Sequence, residues 1–159
     1  MSDINADISI NKLLLPIDGS NTSIKAARYA IHLAKLNNAE LVIMHIIEDI
    51  KQGGAIGLQQ RYGNISLVEA FKKAREESAK QLIKPIEEVA NKKGLKVKSE
   101  ICDAEGTNGI KLITEYTDKN NIDLIVIGSK GRSIFERLLV GSLTNAVINH
   151  SPCPVLVVR

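Results

Sequence analysis

Runs that are apolar at nearly every position constrain this chain most. Lys12–Ile17 (KLLLPI), Leu41–Ile47 with only His45 polar, Ile122–Ile127 with only Asp123 polar, and Val155–Val158 are each strand-sized. A strand with one face in water alternates apolar and polar residues; a strand without alternation is covered on both faces, as in a parallel sheet. The chain must therefore supply helices for both faces.

Those helices are predicted between the runs. Ile24, Ala27, Ile31 and Ala34 recur at spacings of three and four from Thr22 on, giving one buried stripe that ends near Asn37-Asn38. Ser66 and Glu69 have the spacing of a capping box, opening a long helix with Val68, Phe71, Leu82, Ile86 and Val89 on its apolar face. Pro85 should bend it by removing the backbone bond to Gln81, and Gly94 should end it. Leu95, Val97 and Ile101 are interrupted by Lys96, Lys98, Ser99 and Glu100, which predicts a partly exposed strand at a sheet edge. A helix over about Asn108–Lys119 presents Ile110, Ile113 and Thr117, and Asn120-Asn121 stop it.

Strands alternating with helices imply right-handed crossovers and an α/β, three-layer, doubly wound, Rossmann-like domain. With the interrupted strand at an edge, the simplest order for a parallel five-stranded sheet is 3-2-1-4-5. That order reverses between strands one and four, and ligands of such sheets bind beyond the carboxyl ends at the reversal. Asp18 and Gly128 would both lie there.

The 159 residues suit a single domain, 1–159, with a flexible N-terminus at 1–11 and a mobile, glycine-rich loop at 51–64. A net charge of +3, spread with Glu beside Lys and Arg, and 3% aromatic residues argue against nucleic acid. Met1–Asn11 lacks the apolar core of a signal peptide, and no run is long enough for a membrane span. Cys102 and Cys153 lack paired metal-site spacing and read as reduced, packed thiols. The expectation is a cytoplasmic protein without membrane partners.

The fourth apolar run stops at Ile127 before Gly128-Ser129-Lys130-Gly131-Arg132, and nine residues after Gly131 comes Gly141-Ser142-Leu143-Thr144 at the head of a helix. Each glycine alone could be a turn. Together, after a strand and before a helix N-terminus, they can expose amide N–H groups to phosphate. The pattern G-x2-G-x9-G-S is neither a P-loop nor a dinucleotide fingerprint, which disfavours motors and hydride-transfer enzymes. Ser142 and Thr144 can cap the helix, and the same hydroxyls could bond phosphate oxygens. Lys130 and Arg132 are either solvated loop bases or neutralise phosphate.

This motif, the opening Leu13-Leu14-Leu15-Pro16-Ile17-Asp18-Gly19-Ser20 and the segment Leu41–Ile46 resemble the universal stress protein family, specifically its ATP-binding branch, over nearly the whole chain. The resemblance implies a sheet like that of the adenine-nucleotide hydrolases and a site for ATP, with Mg or Mn as the accompanying ion. It assigns Pro16, Ile17 and Asp18 to the pocket near the adenosine or the metal, although Asp18 alone could be an Asx-turn residue. It gives the Ile46 backbone the adenine edge. Ile127, Gly128, Gly131, Arg132, Gly141, Ser142, Leu143 and Thr144 make the phosphate end. One departure stands out: where the family often has Gly-x-Pro after the third strand, this chain has Ala104-Glu105-Gly106, which changes the pocket rim.

His45, on a buried strand, reads as a pocket-wall histidine, and His32 and His150 as surface residues. No nucleophile and base stand in a convincing context, so hydrolysis is not supported. The expected function is an ATP-binding regulatory module in stress response. The alternatives are a slow ATPase or adenine-nucleotide hydrolase-like enzyme, and a ligand-free dimeric scaffold. An apolar fifth strand with one neighbour predicts a homodimer through that strand.

Overall fold

The computed structural model describes residues 7–48, 65–131 and 140–159. The glycine-rich loop expected at 51–64, most of the N-terminal segment expected to be flexible, and Arg132 lie outside the described residues.

The described residues run β1 (Lys12–Ile17), α1 (Asn21–Asn37), β2 (Glu40–Ile47), α2 (Ile65–Lys92), β3 (Val97–Asp103), α3 (Gly109–Lys119), β4 (Leu124–Gly128), α4 (Ser142–His150) and β5 (Val155–Val158). The five strands are parallel in the order β3-β2-β1-β4-β5, as their apolar pattern predicts. Side chains of β1 alternate between two cores. Leu13, Leu15 and Ile17 pack with Ala26, Ala30, Ala34, Ile83, Ile86 and Ala90 of α1 and α2. Leu14, with Val42, Met44 and Ile125, meets Ile113 of α3 and Val147 of α4 on the opposite face. Leu13, Leu14 and Leu15 are fully buried, so β1 is covered on both sides and needs apolar residues throughout.

At the amino end of the sheet, Asp123 accepts the N–H groups of Asn11 (2.8 Å) and Lys12 (2.9 Å), which ties the start of β1 to the start of β4. That bond holds Asn11, and Ile10 packs against the α1–α2 core, so the N-terminal segment is anchored from there on.

Two helical faces differ from the sequence expectation. In α1 the buried stripe is Ser23, Ala26, Ala27, Ala30, Ile31 and Ala34, whereas Ile24 is 41% exposed. Ser23 can be buried because its hydroxyl donates to the Ser20 carbonyl at 2.9 Å, which removes the cost of hiding a polar group. In α2 the buried residues are Ala79, Ile83, Ile86 and Ala90, and Val89 is 46% exposed. The helix is already formed at Ile65, so Ser66 lies in its first turn, and it runs on through Pro85, whose place in it is exposed.

The end of β4 lies hard against the start of α1. A Cβ on Gly128 would sit 2.7 Å from the Ser23 nitrogen and 2.7 Å from the Thr22 carbonyl carbon. Both are backbone atoms and cannot swing aside. Gly128→Ala is therefore expected to cost about 2 kcal/mol or more, the scale of overpacking in a rigid site. Denaturant unfolding of the variant beside the natural protein checks this, and an unchanged midpoint would contradict the packing described.

Candidate nucleotide site

The site is built where β1 and β4 run in parallel and their crossovers diverge, at the carboxyl end of the sheet. Asp18 leaves β1 and accepts the Ser20 N–H at 2.9 Å, closing an Asx-type turn through Gly19, whose φ of 82° is left-handed. Ser20 then caps α1 by accepting the Ser23 N–H at 3.2 Å. A short turn thus delivers an aspartate and two hydroxyl side chains, Ser20 and Thr22, to one place.

The loop after β4 is sewn onto that turn. The Lys130 carbonyl accepts both the Ser20 hydroxyl at 3.1 Å and the Thr22 hydroxyl at 2.5 Å, and the Lys130 N–H points back to the Thr22 oxygen at 3.3 Å. With this carbonyl engaged, Gly131 is carried over Asp18: a Cβ on Gly131 would lie 2.9 Å from Asp18 Oδ2. The sequence reading names Asp18 and Gly131 but misses Ser20 and Thr22. Their signal is the pair of hydroxyl residues directly after Asp18-Gly19.

A second seam joins the same loop to α4. The Gly141 N–H donates to the Ser129 carbonyl at 2.7 Å, and the buried Thr144 hydroxyl donates to the Gly128 carbonyl at 2.8 Å. Gly131 and Gly141 therefore stand together, with a Cβ on Gly141 placed 3.5 Å from the Gly131 nitrogen. Thr144 serves the site by this bond, which fixes the helix against the strand end.

The start of α4 differs from the starts of α1 and α3. Ser20 and Asn108 cap those helices with side chains, Asn108 accepting the Lys111 N–H at 2.9 Å, whereas Gly141 makes no side-chain cap bond. Helix amides of a first turn have no carbonyl partner within the helix. Here they carry the positive end of the helix dipole to the face that holds Gly131, Ser142 and Asp18.

The other end of the site is apolar. Gly109, at the start of α3, has the Leu143 and Ile46 side chains at 3.4 and 3.5 Å from the position of a Cβ, so β2, α3 and α4 converge there. Gly109 borders the site, whereas the sequence reading places it only at the start of a helix. His45 is half-buried, and its Nδ1 lies 2.8 Å from the Ile17 carbonyl. A carbonyl only accepts, so Nδ1 carries a proton, and the ring is a satisfied wall between β1 and β2. Among the described residues no three His, Cys, Asp or Glu side chains group to hold a metal. Burial pushes the Cys102 and Cys153 thiols above their ordinary range, and both are free, as packed thiols should be.

The rim turn Ala104-Glu105-Gly106 takes its own form. Ala104 is buried and donates to the Ile47 carbonyl at 2.9 Å, Gly106 is left-handed at φ 72°, and Glu105 pairs with Lys72 of α2 at 2.5 Å. Nearby, Arg75 donates to the Glu48 carbonyl at 2.7 Å, so α2 is tied to the ends of both β2 and β3. Glu105 thus fastens this edge of the site by charge.

The universal stress protein family model matches residues 9–159. A universal stress protein of Methanocaldococcus jannaschii is 32% identical over 155 residues, covering 98% of this chain and 85% of that protein. The universal stress protein YxiE of Bacillus subtilis is 34% identical over 151 residues, covering 94% of this chain and 99% of its own. Among solved structures, the universal stress protein UspA from Lactobacillus plantarum superposes with a TM-score of 0.74 at 25% identity, over 96% of this chain and 100% of that one. The same fold recurs at 19% identity in a universal stress protein in complex with cAMP (TM-score 0.66, 96% of this chain and 98% of that one). It recurs again at 19% identity in one from Archaeoglobus fulgidus in complex with dAMP (TM-score 0.61, 96% and 100%). With the family model matching nearly the whole chain and relatives above 30% identity along most of both lengths, this chain belongs to the universal stress protein family.

Proposed function

We propose that this protein is a nucleotide-binding regulatory module whose resident ligand is ATP, with its phosphates against Gly131 and the start of α4 and its adenosine toward Ile46. The single observation that carries this is the N-terminus of α4, presented without a side-chain cap beside Gly131 at the switch point of the sheet. The amides of Ser142 and Leu143 and the Ser142 hydroxyl are the donors offered to phosphate, with Lys130 adding charge. Proteins of this fold solved with cAMP and dAMP support an adenine nucleotide as the ligand. ATP adds two phosphates, and the glycine pair is the part of the site suited to them.

The donor set fits a phosphate chain better than a protein-held metal. A Mg or Mn ion brought with ATP would draw its oxygens chiefly from phosphate and water, with Asp18 as the carboxylate beside Gly131. Pro16 and Ile17 of β1 and Ile127 of β4 act as the fixed floor from which Asp18 and Gly128 emerge. The described residues offer phosphate-holding groups without a nucleophile and base set to activate water, which supports binding rather than turnover. Magnesium-dependent phosphate release followed over hours should stay below about one turnover per second, the low end for enzymes, and faster release would make the protein an ATPase.

Gly141→Val tests the site without disturbing the fold. Gly141 has φ −67° and ψ 157°, a conformation open to any residue, and among the described residues a Cβ there meets nothing closer than 3.5 Å. Calorimetric titration should give the natural protein micromolar to millimolar ATP affinity, about 4 to 8 kcal/mol, and the variant at least about tenfold weaker binding with little change in melting temperature. Equal affinity in a folded variant would remove phosphate from this position.

We further propose that β5 pairs with its own copy to make a homodimer. Pro154 and Val158 direct their carbonyls to Ile125 of β4 and to Ser129 just after it, so Val155 and Val157, one residue out of phase, point N–H groups to the open edge. Leu156, on that strand, is 36% exposed. Antiparallel pairing about a two-fold axis would satisfy both edges. Val157→Pro removes an outward donor and leaves the β4 ladder intact, so light scattering should find a dimer for the natural protein and a monomer for the variant. A natural protein that is monomeric at tens of micromolar, roughly where a standard interface holds, would contradict the dimer.

A further inference from the structure

Helix α1 carries cations and no acidic residue. It holds Lys25, Arg28 and Lys35, three of the 21 Lys and Arg of the chain, and none of the 18 Asp and Glu. The rest of the chain therefore has 18 of each sign, and the whole net charge of +3 is that of this helix. The three cations are exposed, and they make no salt bridge among the described residues, whereas Lys72, Lys96, Lys98 and Lys111 each pair with a glutamate. Other exposed lysines lack a salt bridge as well, but those on α2 and α3 share their helices with glutamates, Glu69, Glu76, Glu77, Glu87 and Glu88 on α2 and Glu115 on α3. On α1 the field is left open to solvent.

The face also has shape and apolar content. Lys25, Arg28, Tyr29 and His32 line a surface cleft of about 380 Å³. Their spacing covers about 10 Å along the helix, at about 1.5 Å per residue. Tyr29 is 48% exposed at the centre of the patch and Leu36 is 69% exposed one turn beyond His32. Tyrosine and arginine around a cleft, with an apolar residue at the margin, is the composition that concentrates binding energy at protein interfaces. The buried side of the same helix is fully used by the core, so this side is not needed for folding.

We infer that the outer face of α1 is a docking surface for an acidic segment of a partner protein, with carboxylates against Lys25, Arg28 and His32 and an apolar side chain against Tyr29. The length of the cleft and its aromatic centre favour a peptide segment over a single small anion. The face is separate from the nucleotide groups, yet the helix that bears it begins at Ser20 and Thr22, which hold the Lys130 carbonyl. The surface is thus mounted on the element that also fixes the glycine loop.

The test is fluorescence anisotropy with a labelled peptide of glutamates interspersed with leucine, at about 50 mM and about 300 mM salt. The full chain should bind it saturably and more weakly at high salt. Joint reversal by Lys25→Glu and Arg28→Glu should weaken binding at least about tenfold. The milder pair Lys25→Gln and Arg28→Gln should weaken it by less, and it serves as the folded reference should the reversal fail to fold. Reversal at Lys111→Glu and Lys119→Glu, on α3, makes the same change in net charge and should leave most of the binding. Equal affinity in the α1 variants, an equal loss in the α3 variant, or capture of anionic phosphatidylserine vesicles with no peptide binding would each overturn the proposal. ATP affinity measured on the same α1 variants should be unchanged, so this surface and the nucleotide reading can fail separately.

Discussion

Everything near the carboxyl end of this sheet depends on how the backbone leaving β4 is held. Three successive carbonyls, those of Gly128, Ser129 and Lys130, are taken up by the Thr144 hydroxyl, the Gly141 N–H, and the Ser20 and Thr22 hydroxyls. Each bond reaches a different element or a different part of the same crossover. A loop that would otherwise be free is thereby fixed against the first turns of two helices, one from each layer. Hydrogen bonds of this kind contribute about 1 kcal/mol each to stability, but their value here is geometric: with the carbonyls occupied, Gly131 and the amides of α4 remain to face a ligand.

The packing beneath explains why the arrangement can be rigid. Fully buried Leu13, Leu14 and Leu15 lock β1 between both helical layers, and Asp123 locks its start to the neighbouring strand. Asp18 and Gly128 then leave adjacent strands whose register is set by the ladder, so the gap between them is determined by the core and not by the loops. At the far rim, the Lys72–Glu105 pair and the Arg75 contact to Glu48 do by charge what a rigid turn does elsewhere. Both cations are on the surface, so that edge is the softer part of the site.

The fold was legible because uninterrupted apolar strands have only one stable setting, the middle of a parallel sheet, and because Lys96, Lys98 and Glu100 could belong only at an edge. The faces of the helices were less legible. Apolarity and helical spacing point Ile24 and Val89 inward, but the stripe of α1 runs through Ser23, which hides its hydroxyl on the Ser20 carbonyl, and α2 buries the slimmer Ala79 and Ala90 instead. The glycines show the deeper limit. A missing side chain leaves the same mark in a sequence whether protein or ligand fills the space. Gly128 is filled by the backbone of α1, Gly109 borders Ile46 and Leu143, and Gly131 looks onto Asp18. Only the three-dimensional neighbours separate a packing glycine from one that faces a ligand.

The central claim is that backbone amides at Gly131 and at the start of α4 receive phosphate. Amide proton–nitrogen spectra of the isotopically labelled protein, recorded as ATP is added, test it most directly. The account predicts that the largest shifts fall on Gly131, Ser142 and Leu143, with smaller ones at Ile46, and that adenosine alone moves Ile46 but not the α4 amides. Shifts confined to other surfaces, or equal responses of the α4 amides to ATP and adenosine, would contradict it.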